Sequence, residues 1–290
     1  MHRPAAPLRH SAQQVRWQRR AGRGGGPAES SGSDEEDFFQ EEGSMEEFYD
    51  ADDVGYEEGR PGDGDSEMRL YLDSANVKEW EMWAETGLFY GFTTNPTILK
   101  RDDVSCNIAS MRHLAREAFA LKVEELQLQA WGATAAEMYS CGLDLMDIDS
   151  RILVKLPVTL EGAKAAAKLV ADGAPVTMTG VYAAHQVVTS LALGAAYAAP
   201  YVGRMTDAGK NGIEEVIRMQ EVVDQCTEEG GMRLLVASIR SADEIAELAG
   251  CNTFTISPAV ARQLFDVGLT NDAAVVFQQH ANEMGAKDSS

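Results

Sequence analysis

From Met68 onward the chain repeats one rhythm: a short apolar run followed by a longer amphipathic stretch. The short runs are Arg69–Asp73, Phe89–Thr94, Leu126–Trp131, Ile152–Val158, Pro175–Thr179, Tyr197–Val202, Arg233–Ser238 and Thr253–Ser257. Their length and their content of aliphatic and aromatic residues read as buried strands. Helical periodicity is expected over Ala75–Thr86, Ile108–Leu121, Thr134–Met146, Leu160–Ala171, Val181–Leu193, Gly212–Glu228, Ala242–Leu248 and Pro258–Phe265, with a last helix over Asn271–Met284. Helix-start signals mark several boundaries, among them Thr134 with Glu137 three residues on, and Thr159 before Glu161. Strands alternating with helices imply right-handed crossovers and a parallel sheet. Eight such units match a single (β/α)8 TIM barrel, of class α/β, better than an open sheet of about five or six strands. No Gly-x-Gly-x-x-Gly follows the first strand and no Gly-x-x-x-x-Gly-Lys-Ser/Thr occurs, which argues against a dinucleotide or triphosphate enzyme.

The chain before Met68 has a different composition. Residues 1–28 hold Arg3, Arg9, Arg16, Arg19, Arg20 and Arg23 and no acid, and resemble an organelle transit peptide or a disordered extension. Residues 29–67 are dense in acid, with Arg60 the one base and Phe38, Phe39, Phe48, Tyr49 and Tyr56 interleaved. Self-repulsion and few aliphatics predict a disordered segment there. Residues 68–290 make the barrel. Residues 1–28 contribute +6 and residues 29–67 contribute −16 to the chain's net charge of −21. The part from Met68 therefore carries −11, which gives that body no electrostatic reason to seek nucleic acid or anionic lipid. Its longest apolar stretch, interrupted by Pro200, falls short of a membrane span. Cys106, Cys141, Cys226 and Cys251 are widely spaced and read as reduced thiols, and no His/Cys cluster has metal-ligand spacing.

One charge interrupts the fourth apolar run, Ile152-Leu153-Val154-Lys155-Leu156-Pro157-Val158. An ammonium in a buried strand is costly and gives up its proton more readily than a solvated one. The neutral amine is a nucleophile toward carbonyls, so Lys155 suggests Schiff-base chemistry, with a solvated or ion-paired strand exit as the structural alternative. In a barrel, function gathers at the carboxyl ends of the strands. Those ends carry Asp73, Thr93-Thr94-Asn95-Pro96, Gln129, Lys155, Thr179, Tyr201 leading to Arg204, Ser238 with Arg240, and Ser257. Singly, each has a bland reading: Asp73, Ser74 or Ser257 as a helix cap, Thr94-Asn95 as turn chemistry before proline, the arginines as surface charges. A shared ligand explains their occurrence at successive strand ends.

Four segments carry a resemblance: Leu70-Tyr71-Leu72-Asp73, Phe92-Thr93-Thr94-Asn95-Pro96, Val154-Lys155-Leu156-Pro157-Val158-Thr159 and Ala199-Pro200-Tyr201-Val202-Gly203-Arg204. In order and spacing they resemble the transaldolase family, most closely the short branch that includes the fructose-6-phosphate aldolases. The resemblance implies a lysine-bound dihydroxyacetone unit on Lys155 and cleavage or formation of the C3–C4 bond of ketose phosphates, without metal or organic cofactor. It implies that Asp73 assists proton transfer, that Asn95 beside Thr94 binds the dihydroxyacetone part, and that Gln129, Thr179 and Tyr201 hold a water. Arg204 and Ser238, with Arg240, would take the phosphate. Glutamate and phenylalanine are usual in transaldolases where this chain has Gln129 and Tyr201, which points to the aldolase subtype; transfer between sugar phosphates in the pentose phosphate route is the alternative. A catalytically silent binding scaffold is a third reading. Trp131 is bulkier than expected beside the site. The short branch forms rings of five or ten subunits, so a homo-oligomer is expected, with the helix near Phe277 as its exchange element. Location is expected in a chloroplast or other organelle, or in the cytoplasm.

Overall fold

The computed structural model describes residues 68–227 and 231–286. The transit-like stretch 1–28 and the acidic segment 29–67 lie outside the described residues. Eight parallel strands form one sheet: β1 (Arg69–Asp73), β2 (Gly91–Thr93), β3 (Glu125–Gln129), β4 (Ile152–Pro157), β5 (Val176–Val181), β6 (Tyr197–Pro200), β7 (Arg233–Leu234) and β8 (Thr253–Ile256). Sequential neighbours pair from β1 to β7, and β1 also pairs with β8. The cylinder closes where Val236 N donates to Thr253 O at 2.9 Å and Thr255 N to Val236 O at 2.9 Å. This is the expected (β/α)8 barrel.

The helices are α1 (Val77–Ala84), α2 (Pro96–Arg101), α3 (Ile108–Ala120), α4 (Ala135–Met146), α5 (Leu160–Ala171), α6 (Ala184–Ala192), α7 (Val202–Asp207), α8 (Gly212–Cys226), α9 (Ala242–Glu247), α10 (Pro258–Gln263) and α11 (Gly268–Glu283). Thr134 and Glu137 form a reciprocal capping box at α4, and Thr159 caps α5, as their spacing predicts. Two short helices, α2 and α7, fall where the apolar periodicity predicts none. Asn95 as N-cap followed by Pro96 at the first helical position is the signal for α2.

Strand alternation sorts the core into two parts. Outward residues such as Leu72, Phe92, Leu126, Leu128, Val154, Leu156 and Met178 join the helix faces in the main core. There the Trp80 indole of α1 stacks on Phe92 with centroids 4.6 Å apart. The inward set is smaller and more polar, with Tyr71, Leu153, Tyr197, Ala199 and Leu235 as its apolar part. At the strands' amino ends this lumen is filled by an ion-pair network. Arg69 Nη1 donates to Tyr197 Oη at 2.6 Å and lies 3.7 Å from Glu125 Oε1, while Tyr71 Oη donates to Glu125 Oε2 at 2.7 Å. Gly91 leaves room for this packing: a Cβ there would strike the Glu125 carbonyl and come 2.9 Å from the Tyr71 ring.

The strand β5 runs past its expected end at Thr179 to Val181, so the helix expected from Val181 starts only at Ala184. The cause is a register shift between Thr179 and Val181, with Gly180 at φ +72°. This bulge inserts one residue and keeps Thr179 on the lumen side while Val181 joins the main core. The seventh strand is regular only over Arg233–Leu234, because the chain then shares its bonds between β6 and β8 before Ser238 turns at φ +61°. Among the described residues no helix is long and apolar enough to cross a membrane.

Candidate active site

Register puts the polar strand ends at one mouth. On β4, Lys155 lies opposite Gln129 of β3 and Thr177 of β5, and Pro157 lies opposite Thr179. The side chain of Lys155 is inside the lumen and 2 % exposed. Burial pushes its ammonium below the ordinary lysine range, and the charge that opposes this is Asp73. Asp73 ends β1, and burial pushes its carboxyl above the usual carboxylate range, against the pull of Lys155 and a hydrogen bond from Thr93. The helix-capping reading of Asp73 does not hold: the cap of α1 is Asn76, which accepts from Lys78 N at 3.0 Å.

Across the mouth, Thr179 Oγ1 and Tyr201 Oη lie 2.8 Å apart. The Tyr201 phenol is pushed up by burial, with Thr179 pulling it back. The Tyr182 ring meets Tyr201 edge-on at 5.7 Å, and the Arg204 guanidinium sits 5.1 Å from the Tyr201 centroid. Gln129 is half-buried at the end of β3. The structure therefore brings Asp73, Lys155, Thr179 and Tyr201 into contact or electrostatic reach, with Gln129 next to Lys155 in register.

The proposed binding residues divide. Asn95 does cap α2, its Oδ1 accepting from Thr97 N at 2.9 Å and Ile98 N at 3.1 Å; the amide nitrogen is left over for a ligand. Thr94 is buried with an unpartnered hydroxyl, while its neighbour Thr93 reaches Asp73 Oδ1 at 2.7 Å. Thr93, quoted with Thr94 in the same strand end but given no role of its own, is thus the threonine that contacts Asp73. Ser257 caps α10 by accepting from Val260 N, and Ser74 holds Asn76 N at 3.1 Å, so both are structural. Arg204 is exposed on α7, Ser238 is half-buried, and the Arg240 side chain crosses Gly203, whose N donates to Ser238 O at 3.0 Å. Arg240 Nη2 donates to Asp207 Oδ2 at 2.7 Å in an exposed pair, of the kind that contributes little to stability.

A second ion pair beside the mouth was also missed. Asp102 accepts from Ala75 N at 2.8 Å, Ser74 Oγ at 3.1 Å and Arg101 Nε at 2.7 Å. Burial alone would raise the Asp102 carboxyl, but these bonds hold it below the usual range. Arg101 Nη2 reaches the Asp73 carbonyl at 3.4 Å. Arg101 and Asp102 end α2, so they became visible only with that helix.

The fold and site define a (β/α)8 barrel that holds one buried amine and one carboxylate at its carboxyl mouth. The transaldolase/fructose-6-phosphate aldolase family model matches residues 70–289. A probable transaldolase of Hyphomonas neptunium is 30 % identical over 228 residues, covering 75 % of this chain and 99 % of that protein. Another probable transaldolase, from Thermus thermophilus, is 33 % identical over 217 residues, covering 70 % and 93 %. This chain belongs to the transaldolase/fructose-6-phosphate aldolase family.

Proposed function

We propose that the protein is a Schiff-base aldolase acting on ketose phosphates such as fructose 6-phosphate. The observation that carries this reading is the Lys155 amine, 2 % exposed and weakened as a base by burial, facing Asp73 at the mouth. A buried amine of this kind is unprotonated more often than a solvated lysine and attacks the ketose carbonyl. Loss of water gives an iminium on Lys155. The electrons of the C3–C4 bond then flow to the iminium to form an enamine, and the C4 hydroxyl gives up its proton as the aldose phosphate leaves. A water held by Gln129, Thr179 and Tyr201 carries that proton. The Asp73 carboxylate offsets the iminium charge. Proton return to the enamine and hydrolysis free dihydroxyacetone and Lys155. Asn95, through its amide nitrogen, and Thr94 meet the dihydroxyacetone part. Arg204, Ser238 and Arg240 receive the phosphate, for which a planar guanidinium is suited.

Gln129 and Tyr201 favour release over transfer. A second reading, transfer of dihydroxyacetone to an aldose phosphate, is favoured by the names of the similar proteins. Borohydride reduction with fructose 6-phosphate should leave an adduct on Lys155 that Lys155→Met abolishes; no adduct with any ketose would turn the reading to a silent scaffold. Glyceraldehyde 3-phosphate released without an acceptor identifies the aldolase, and release only with erythrose 4-phosphate identifies the transferase. A homo-oligomer is part of the proposal, since α11 buries no residue and exposes Leu269, Val275 and Phe277. So is an organelle location, from the arginine-rich first residues; a fluorescent fusion of residues 1–28 that stays in the cytosol would remove it.

A further inference from the structure

Behind Asp73 lie two hydroxyls that no step above uses. Thr93 is 0 % and Thr255 2 % exposed, and they come from β2 and β8, the strands on either side of β1. Thr93 Oγ1 donates to Asp73 Oδ1 at 2.7 Å, and Thr93 Oγ1 and Thr255 Oγ1 are 2.5 Å apart. A hydroxyl has one proton. Thr93 spends its proton on Asp73, so Thr255 donates to Thr93, and the two bonds run in one direction toward the carboxylate. Valine would fill either position at the same volume without burying a polar atom, so packing alone does not call for threonine here. The backbone of Thr255 is fixed on both sides, its N donating to Val236 O at the seam that closes the barrel and its Cα in register with Tyr71.

We propose that Thr255 and Thr93 are positioning residues, a directed hydrogen-bond relay that keeps the Asp73 carboxylate ionised and aimed toward Lys155. For its catalytic consequence the relay rests on the reading of Lys155 and Asp73 given above. Hydrogen bonds donated to a carboxylate favour its charged form. The other charged or titratable groups acting on Asp73 are Lys155 from β4, Arg101 and Asp102 from α2, and Tyr201 at the end of β6. Lys155 and Arg101 support ionisation, Asp102 opposes it, and burial opposes it most. The relay therefore adds to a balance that burial has already moved toward the protonated acid.

The test is the titration of Asp73 itself, followed by NMR in the full chain labelled with carboxyl-13C aspartate, with Asp73→Asn identifying the resonance. Thr93→Val should move the midpoint upward by about one pH unit or more, the value of a lost hydrogen bond to a charged group. Thr255→Val should move it in the same direction by less, and Thr93→Ser and Thr255→Ser should restore it. The acidic limb of the kcat profile for ketose cleavage should shift with the same variants, because Asp73 then loses its charge at a higher pH as the pH falls. A midpoint unchanged in both valine variants overturns the relay, as does a serine variant that fails to restore a shifted one. If Thr93→Val melts below the assay temperature, the Thr255 pair decides alone. Absence of turnover in the unaltered protein would instead overturn the proposed reaction, since the titration reads Asp73 without it.

Discussion

Replacing Arg69 with methionine should cost about 3–5 kcal/mol of stability at pH 8, the usual effect of removing one partner from a buried ion pair. Arg69 donates to Tyr197 at 2.6 Å, lies 3.7 Å from Glu125 Oε1, and stacks 4.4 Å from the Tyr90 centroid. Methionine keeps much of the stem's packing but leaves Glu125, 6 % exposed, without this cation. Burial already pushes the Glu125 carboxyl above its ordinary range, against hydrogen bonds from Tyr71 and Tyr197 and the charge of Arg69. A carboxyl with a raised folded value favours folding most below its unfolded value, and that contribution is lost as pH rises through the folded value. Without Arg69 the folded value climbs further, so the loss extends to higher pH. The penalty should therefore be larger at pH 8 than at pH 4.5, where the raised Glu125 carboxyl carries less charge and the Tyr197 bond and the Tyr90 contact make up more of the loss. Adding Glu125→Gln should recover most of the pH 8 loss. Urea unfolding followed by circular dichroism at both pH values measures all three proteins, and adduct trapping on Lys155 at 25 °C reads the mouth. A pH 8 penalty below about 1 kcal/mol, or one equal at both pH values, would refute the account of the buried pair. Loss of trapping in a folded Arg69→Met protein would refute the division between a stabilising lower end and a reactive mouth.

Gly91→Ala should destabilise by about 1–3 kcal/mol in thermal melts, because its methyl meets the Glu125 carbonyl and the Tyr71 ring in a packed lumen. Tyr201→Phe removes the hydroxyl 2.8 Å from Thr179 and should lower kcat about 100-fold. Thr179→Ala should cost nearly as much alone as in combination with it, if both hold the same water. Arg240→Ala should raise KM for a phosphorylated ketose about 10- to 100-fold, as expected when a charge-assisted hydrogen bond is lost, and leave KM for dihydroxyacetone unchanged. An equal effect on both substrates would remove Arg240 from the phosphate site.

What could be read from the sequence follows the cost of misplacing each residue. Lys155 was legible because a charge inside an apolar run is expensive, and a chain keeps such a residue only where something compensates it; Asp73 was legible only from its place at a strand end. The barrel was legible for a related reason: eight apolar runs need eight places in a sheet covered on its outer face. Thr93 and Thr94 were not separable, because β2 is three residues long and a strand that short has no alternation from which to read its parity. The bulge at Gly180 also escaped, since a one-residue insertion reverses every later side chain while leaving composition untouched. Arg69 and Tyr197 read as ordinary strand starts and Glu125 as the residue before one, because their pairing spans 128 residues in the case of Arg69 and Tyr197 and has no local signature.

The residues that were missed share one property that bears on mechanism. Thr93 bonds the Asp73 carboxylate, Thr255 bonds Thr93, Arg101 reaches the Asp73 carbonyl and Asp102 holds the adjoining Ser74, and none of them lies on β4 with Lys155. The amine is thus tuned by burial and by a single carboxylate, while that carboxylate accepts from Thr93 of β2, itself bonded to Thr255 of β8, and the Asp73 carbonyl is reached by Arg101 of helix α2. Such an arrangement lets the pair be adjusted at Asp73 without repacking the strand that carries Lys155, the proposed nucleophile. Substitutions around Asp73 should accordingly change the pH dependence of the reaction more than the amount of adduct trapped at its optimum. Substitutions of the apolar neighbours Val154 and Leu156, both fully buried in the main core, should show the opposite pattern and act through stability.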